Sequence, residues 1–334
     1  MVKPGHRASG RTAATGGWAP YAFVLPLLTV FVAFYLWPAI VTLVSSTFRW
    51  SLLNPWSART PSEWDFVGAE NYTSTLTSDE FWSAVVNTAI WLVMFPLLVV
   101  ALSLAISLGV WHLARVGGVF RSVFILPMTI SLAAAGVIWG FMYNPDEKVG
   151  AINAVLDRLG ISFDVDWGFL ELRTGNWLSD PGVLHLGFAD IRLVNLSLVV
   201  AGVWAFTGFG VITLTAGLTG IPTELVEAAK VDGATTGQTV RKVLLPLLRG
   251  PIGVVAVISF IFALRTFDIV YVMTGGGPAQ DTTVVALLLW QQTYVFLDTP
   301  QAGAAAATAV LMSVVLIVLC FPYLRRIVGT RDAR

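Results

Sequence analysis

The chain alternates long apolar runs with short polar segments, and this pattern predicts its main elements. An α-helix needs roughly 20 apolar residues to cross a bilayer. Six runs reach that length, at about residues 20–44, 85–110, 121–142, 193–218, 251–273 and 302–324. A further run, 284–296, is shorter and has Gln and Thr at its centre, so we predict that it lies at the membrane interface. The pattern therefore predicts an all-α integral membrane protein with six transmembrane helices.

The N-terminal end allows two interpretations. Residues 1–17 are polar and basic, which is typical of a disordered tail, and the first apolar run follows within residues 18–46. A secretory signal peptide would have an apolar region of about 7–15 residues and a small-residue cleavage site. The run is longer than that and no such site follows it. We therefore predict a first transmembrane helix.

Composition supports a membrane location. The chain is 56% hydrophobic and 12% charged, whereas soluble domains have about 25% charged residues. The net charge is zero, so nothing indicates a nucleic-acid partner. The single cysteine, Cys320, lies in an apolar run, which excludes a disulfide within the chain and favours a small buried side chain. No Cys/His spacing is typical of a metal site.

The distribution of Lys and Arg predicts the orientation. The segments that would share a side with both termini hold 13 of these residues, and the opposite segments hold 6. Both termini are therefore predicted to be cytoplasmic, including the tail 325–334, and so is the polar loop 220–250. The core 82–324 then has an external loop, 143–192, which we predict to be a small cap on the membrane surface.

No catalytic group of residues is recognisable. The histidines, His6, His112 and His185, are scattered, and no Ser/His/Asp grouping with a G-x-S-x-G turn is present. No Gly-Lys dipeptide occurs, which excludes a G-x-x-x-x-G-K-[ST] phosphate loop. The glycines of 275–278 are instead predicted to form a tight turn after the fifth run. If the protein uses ATP, another chain must bind it.

Two charged residues, Arg265 and Asp268, lie inside the fifth run. Charges within membrane spans are rare and usually face a bundle interior or water, which would make them part of a polar pathway. The alternative is an ion pair, three residues apart on one helical face, near the end of the span. In the fourth run, Trp204, Phe206 and Phe209 combine flat apolar faces with nearby hydroxyl groups, as a sugar path requires. Most other aromatic residues are expected at interfaces or in packing contacts.

The polar loop 220–250 is predicted to form a helix, a turn and a second helix. Glu224 and Glu227 fall in the opening turn after Pro222, where the helix dipole favours acids. Small side chains then leave one face open to close approach. Gly233 ends the first helix or permits a close backbone contact.

The spacing in this loop resembles the EAA signature of membrane subunits of ATP-binding-cassette importers. Glu227-Ala228-Ala229 is followed by three residues, Gly233, nine residues, Val243, one residue and Leu245-Pro246. The family pattern has Ile where this chain has Val243. The end of the fifth run, 267–278, and the start of the sixth, 303–308, resemble carbohydrate importers of the maltose type, in particular the larger permease and the permeases assigned to α-glucosides.

The resemblance implies a type I importer permease fold of six spans with a small external cap. It implies a non-catalytic subunit that forms half of a pathway for an oligosaccharide or α-glucoside such as maltose or trehalose. The implied partners are a second homologous permease, two cytoplasmic ATPases that bind ATP and Mg, an extracellular or periplasmic solute-binding protein and the lipid bilayer of the cell membrane. This chain would bind no cofactor or metal.

The resemblance also implies two sets of site residues. The ATPase-coupling set is Glu224, Glu227, Ala228, Ala229, Asp232, Gly233, Ala234, Leu245 and Pro246. The substrate-pathway set is Ala205, Phe206, Phe209, Phe262, Ala263, Arg265 and Thr266. One alternative is a secondary sugar carrier or channel, which predicts intramembrane carboxylates, inverted repeats or broken helices and no use for the loop. The other is a membrane enzyme, which needs a catalytic cluster.

Overall fold

A computed structural model describes residues 19–53, 65–112, 122–162, 164–180, 182–185, 190–295 and 301–329. The predicted tail 1–17 lies outside these ranges, as do Arg59, Arg115, Arg121 and residues 330–334. The predicted tail 325–334 begins inside a helix, because the last helix continues to Gly329. The orientation of the termini stays a prediction.

Fifteen helical segments follow one another in the described ranges. The N-terminal half contains α1 (Ala19–Phe31), α2 (Trp37–Ser45), α3 (Glu70–Thr77), α4 (Asp79–His112), α5 (Ser122–Thr129), α6 (Leu132–Met142) and α7 (Ala151–Arg158). The C-terminal half contains α8 (Val194–Thr219), α9 (Thr223–Val231), α10 (Thr236–Thr239), α11 (Leu245–Leu247), α12 (Arg249–Leu264), α13 (Asp268–Met273), α14 (Val285–Tyr294) and α15 (Ala302–Gly329). Single π-helical turns, Val32–Leu36 and Val240–Leu244, join α1 to α2 and α10 to α11.

The spans differ from the prediction in their continuity. Among the described residues, three helices are long and apolar enough to cross a membrane, and two bent pairs bring the number to as many as five. The run 121–142 is not one helix, because α5 and α6 meet at 106°. The run 251–273 is interrupted between α12 and α13, at residues 265–267. The last run forms α15, whose described apolar part is shorter than a span, so the count of six stays a prediction.

Proline explains the two π-helical turns. In each, the residue after the turn donates its amide to a carbonyl five residues back, Trp37 to Val32 and Leu245 to Val240. Pro38 and Pro246 follow one residue later. Proline has no amide proton and its ring clashes with the carbonyl four residues back, so a regular α-helix is disfavoured there and a wider turn takes its place.

Helix α8 lies at the centre of the bundle, with 16 of its residues buried. Three neighbours approach it closely at glycines. A Cβ at Gly210 would overlap the Ser103 hydroxyl of α4, and one at Gly208 would overlap the Phe124 carbonyl of α5. Gly217 faces Pro251 of α12. In membranes, small residues of this kind let helix backbones pack directly against each other.

Residues 143–192, for which we predicted an external cap, pack on the bundle where the structure describes them and contain strands that the pattern did not predict. Their position outside the membrane stays a prediction. Two antiparallel ribbons form within these residues, β3 (Asp164–Asp166) with β4 (Glu171–Arg173) and β5 (Val183–His185) with β6 (Asp190–Arg192). A third, β1 (Phe48–Arg49) with β2 (Asp65–Phe66), follows α2. Within the cap, the Trp177 indole donates to Asn153 (2.8 Å) and the Tyr143 hydroxyl donates to the Ser197 carbonyl of α8 (3.1 Å).

The short run 284–296 forms α14, whose inward face is buried against α4 and α15. Its length agrees with the prediction of a helix too short to span the membrane. The packing against α4 and α15 was not predicted. The turn before it is positioned by amides. Asn87 of α4 donates to the Thr283 carbonyl (2.9 Å), and Asn195 of α8 donates to the Asp281 carbonyl (2.9 Å) and to Asn87 (3.1 Å). Gly275 and Gly276 both have positive φ, which accounts for the glycines of the predicted turn.

Candidate functional site

The polar loop forms the predicted helix, turn and helix. Helix α9 ends in a Schellman motif, in which the amides of Gly233 and Ala234 donate to the carbonyls of Lys230 and Ala229. Gly233 has a φ of +77°, which most side chains disfavour, and no heavy atom lies within 4 Å of a Cβ built there. The second helix begins with a capping box of Thr235 and Gln238. Pro222 occupies the N-cap position of α9.

The loop has an outer face and an inner face. Most of the predicted coupling residues are exposed: Glu224, Glu227, Ala228, Asp232, Gly233 and Pro246. Ala229, Ala234 and Leu245 are half-buried. The inner face contributes Val226, which is buried with Leu218 of α8 and with Leu244 and Leu248.

This apolar cluster connects the loop to the membrane helices. Leu248 lies at a 68° bend between the second loop helix and α12, and it packs on the end of α8 next to Gly217. Close-packed side chains transmit displacement instead of absorbing it. A force on the outer face of α9 would therefore act on α8 and α12 together.

An open pocket of about 310 Å³ lies where α8, α12 and α13 meet. It is lined by Leu132, Phe206, Ile258, Ile261, Phe262, Arg265, Thr266, Phe267, Asp268 and Ile269. Four of the seven predicted pathway residues line it, namely Phe206, Phe262, Arg265 and Thr266. The other three do not: Ala205 and Ala263 are buried in the bundle, and Phe209 packs behind Phe206 with ring centroids 5.4 Å apart.

Aromatic rings form one wall of this pocket. Phe206 and Phe262 lie 4.7 Å apart between ring centroids, and Phe95 of α4 stacks on Phe262 at 5.0 Å. Phe95 is fully buried, so it supports the two lining rings from behind. Aromatic pairs at these distances stabilise each other beyond simple burial.

Polar groups without partners lie at the break between α12 and α13, next to this aromatic wall. The helix is interrupted at residues 265–267, so Arg265 and Asp268 do not share one continuous helical face. Both side chains are exposed, and neither forms an ion pair among the described residues. The Thr266 hydroxyl is buried and accepts or donates no hydrogen bond there. A buried polar group without a partner is costly, so this hydroxyl, which lines the pocket, is a candidate for a hydrogen bond to a ligand.

Some lining residues were not predicted from the sequence. Two of them, Ile258 and Ile261, lie at helical spacing from the predicted residues Phe262 and Arg265. The sequence therefore contained a signal that could have identified this face of α12. Leu132 comes from α6, and only the bend between α5 and α6 brings it to the pocket. In the described part of the chain, no cluster of His, Cys, Asp or Glu has the composition to hold a metal ion.

Comparison with known proteins identifies the architecture. A family model described as "Binding-protein-dependent transport system inner membrane component" matches residues 91–331. The trehalose/maltose transport system permease protein MalF of Thermococcus litoralis is 32% identical over 305 residues, 91% of this chain and 92% of MalF. The sulfoquinovosyl glycerol transport system permease protein SmoG of Agrobacterium fabrum is 33% identical over 318 residues, 94% of this chain and 89% of SmoG.

A solved bacterial ABC transporter involved in the import of the acidic polysaccharide alginate shares the fold. Its matching chain has a TM-score of 0.65 and 21% identity, over 92% of this chain and 95% of that chain. The fold is thus that of a type I ABC importer permease, as the sequence resemblance implied. The broken helices, which we had expected of a secondary carrier, therefore occur here in an importer fold. The chain belongs to the family of binding-protein-dependent transport system inner membrane components.

Proposed function

We propose that this chain is the permease subunit that forms half of the pathway of an ATP-driven carbohydrate importer. The observation that carries the proposal is the loop 220–250. Its spacing matches the importer signature, its outer face is exposed, and its inner face packs on the two helices that line the pocket. The exposed loop and the pocket are thus connected through α8 and α12.

The proposed coupling follows from this arrangement. Two ATPase subunits, which bind ATP and Mg, dock on the outer face of α9 and of its equivalent in a second, homologous permease. Their closure on ATP displaces α9, and the cluster of Val226, Leu244 and Leu248 transmits the displacement to α8 and α12. ATP is then the ligand that shifts a two-state gate. Both termini and this loop are placed in the cytoplasm, and the chain itself holds no nucleotide.

The proposed cargo is an oligosaccharide or α-glucoside such as maltose or trehalose, delivered by a solute-binding protein. The pocket supports this class of cargo because its lining combines aromatic faces with hydrogen-bonding groups. Arg265 and Asp268 in its lining can form charge-assisted hydrogen bonds with the hydroxyls of a sugar. MalF, the relative named for trehalose and maltose transport, supports the same class, and SmoG, named for sulfoquinovosyl glycerol transport, supports a sugar-containing cargo.

The test is uptake of radiolabelled maltose and trehalose by cells that express the complete transporter. We expect uptake of at least one sugar that requires the ATPase subunit and survives collapse of the proton gradient. Pull-down with this chain should recover the ATPase, the second permease and, in the presence of sugar, the binding protein. Uptake that persists after deletion of the ATPase would support the secondary carrier and overturn the proposal.

A further inference from the structure

Four aromatic side chains form a continuous track that leads from the pocket to the surface of the described structure. Phe267 lines the pocket and stacks on Tyr271 of α13, with ring centroids 5.3 Å apart. Tyr271 contacts Trp290 of α14 at 4.9 Å, and Trp290 contacts Tyr294 at 6.1 Å. Tyr271 is 43% exposed and Tyr294 is 55% exposed. We name these four residues the aromatic track.

The positions of these rings follow from helix geometry. Trp290 and Tyr294 are four residues apart within α14 and lie on one side of it. Phe267 is the residue before α13, and its ring stacks on Tyr271 in the first turns of that helix. The polar turn between α13 and α14 brings the two pairs together, and the Asn87 and Asn195 amides hold this turn in place. The track is therefore built on rigid elements on both sides.

Charged neighbours favour a position that faces water or protein for the part of the track next to the pocket. Tyr and Trp are enriched at membrane interfaces, which is the alternative explanation for exposed rings. Asp268, however, is exposed and lies three residues before Tyr271, so the two side chains share a face of α13. Arg265 is exposed beside Phe267 in the pocket. Charges at membrane depth face water or protein, not lipid.

The chemistry of the rings indicates what uses the track. One face of a pyranose ring presents C–H groups that pack on aromatic planes, while its hydroxyls remain free to bond with water or with polar side chains. Phenol rings suit this because they combine a flat apolar body with a polar tip. A succession of such surfaces holds a sugar weakly at each position, which permits movement between them.

We propose that the aromatic track is an entry subsite, which binds pyranose rings and passes the sugar to the pocket through Phe267. The inference rests on the proposed function. It adds a specificity for cyclic sugars and assigns a role to Tyr271, Trp290 and Tyr294, which the sequence patterns did not indicate. The alternative is that the exposed rings pack against the second permease, and the experiment below distinguishes the two.

The experiment uses the complete transporter, with maltose or trehalose as probe, whichever the wild-type complex takes up. Tyr271→Leu and Tyr294→Leu remove the ring but keep an apolar side chain. We expect each to raise the KM of uptake about three- to tenfold, the value of one aromatic contact, with little change in maximal rate. Tyr271→Phe and Tyr294→Phe, which keep the ring, are expected to stay near wild-type KM.

The matched control is Tyr35→Leu. Tyr35 is 68% exposed in the π-helical turn between α1 and α2 and also pairs with a ring, Phe31 at 5.9 Å, but it does not line the pocket. Its substitution should leave KM unchanged.

Wild-type uptake with an unchanged KM in both track variants would overturn this inference and leave the proposed function standing. Loss of the second permease on purification would also overturn it, because the rings would then serve assembly. Failure of the wild-type complex to take up either sugar would contradict the proposed cargo itself.

Discussion

The Ala234 amide donates to the Ala229 carbonyl across 2.9 Å, which closes α9 one residue after Gly233. This bond requires the left-handed backbone that Gly233 adopts at φ +77°. The loop signature thus contains a glycine for a reason that lies within this chain. The direction in which the second loop helix leaves α9 depends on it.

Substitution of Gly233 separates backbone conformation from partner contact. Gly233→Val should reduce ATP-dependent uptake strongly, because a non-glycine residue in this conformation costs about 1–2 kcal/mol and a β-branched one more. Gly233→Asn should retain most uptake, because Asn tolerates positive φ and no atom of this chain lies within 4 Å of a Cβ there. Uptake and ATPase pull-down are measured together. If Asn is as damaging as Val and the ATPase is lost, close approach of the partner is the reason for the glycine.

Val226 and Val231 offer a matched pair on α9. Val226 is 7% exposed in the cluster with Leu218 and Leu248, whereas Val231 is 87% exposed. Val226→Ala should lower the free energy of unfolding by about 1–2 kcal/mol, since two buried methyl groups are removed. Val231→Ala should leave it unchanged.

Thermal unfolding of the purified transporter in detergent measures both changes. We also expect Val226→Ala to lower the sugar transported per ATP hydrolysed, because the loop is then less firmly attached to α8 and α12. Equal melting temperatures for the two variants would show that the cluster does not hold the loop.

The polar loop 220–250 could be predicted closely because its information is local. Helix propensity, the prolines and the spacing around Gly233 all lie within one short segment, and the spacing identified the family. The outer limits of the apolar runs were also predictable from hydrophobicity alone. The helix ends agree with those runs to within a few residues at α2 and α8.

The interruptions of the spans could not be predicted from hydrophobicity, because the apolar pattern continues across them. Ile130 and Ser131 separate α5 from α6 without a change in composition, and only Arg265 marked the break before α13. The pocket depends on these breaks, since they bring Leu132 and Thr266 to it. The bond between Asn87 and Asn195 joins residues 108 positions apart, which no local pattern reveals.

Gly208 and Gly253 test the close packing of the central helix. Gly208→Ala should lower the melting temperature, because the new Cβ would overlap the Phe124 carbonyl oxygen, a backbone atom that cannot rotate away. Overpacking of this kind typically costs about 1–3 kcal/mol.

Gly253→Ala in α12 meets no heavy atom within 4 Å, and alanine favours helix by up to about 1 kcal/mol. The control should therefore be as stable as wild type or more so. A Gly208→Ala variant of unchanged melting temperature would mean that α5 does not approach α8 as the structure describes.

Thr266 provides the sharpest test of the pocket, because function and stability should change in opposite directions. Its hydroxyl is buried and has no partner among the described residues, and a buried unsatisfied group costs about 1–3 kcal/mol. Thr266→Val keeps the shape and removes the hydroxyl. The variant should unfold at the same temperature as wild type or a higher one, while the KM for sugar uptake rises because a hydrogen bond to the cargo is lost. Thr207→Val is the control, since the Thr207 hydroxyl donates to the Val203 carbonyl at 2.6 Å and the residue does not line this pocket. It should lower or preserve stability without a change in KM. A fall in stability with Thr266→Val, together with an unchanged KM, would show that this hydroxyl has a structural partner and takes no part in binding the sugar.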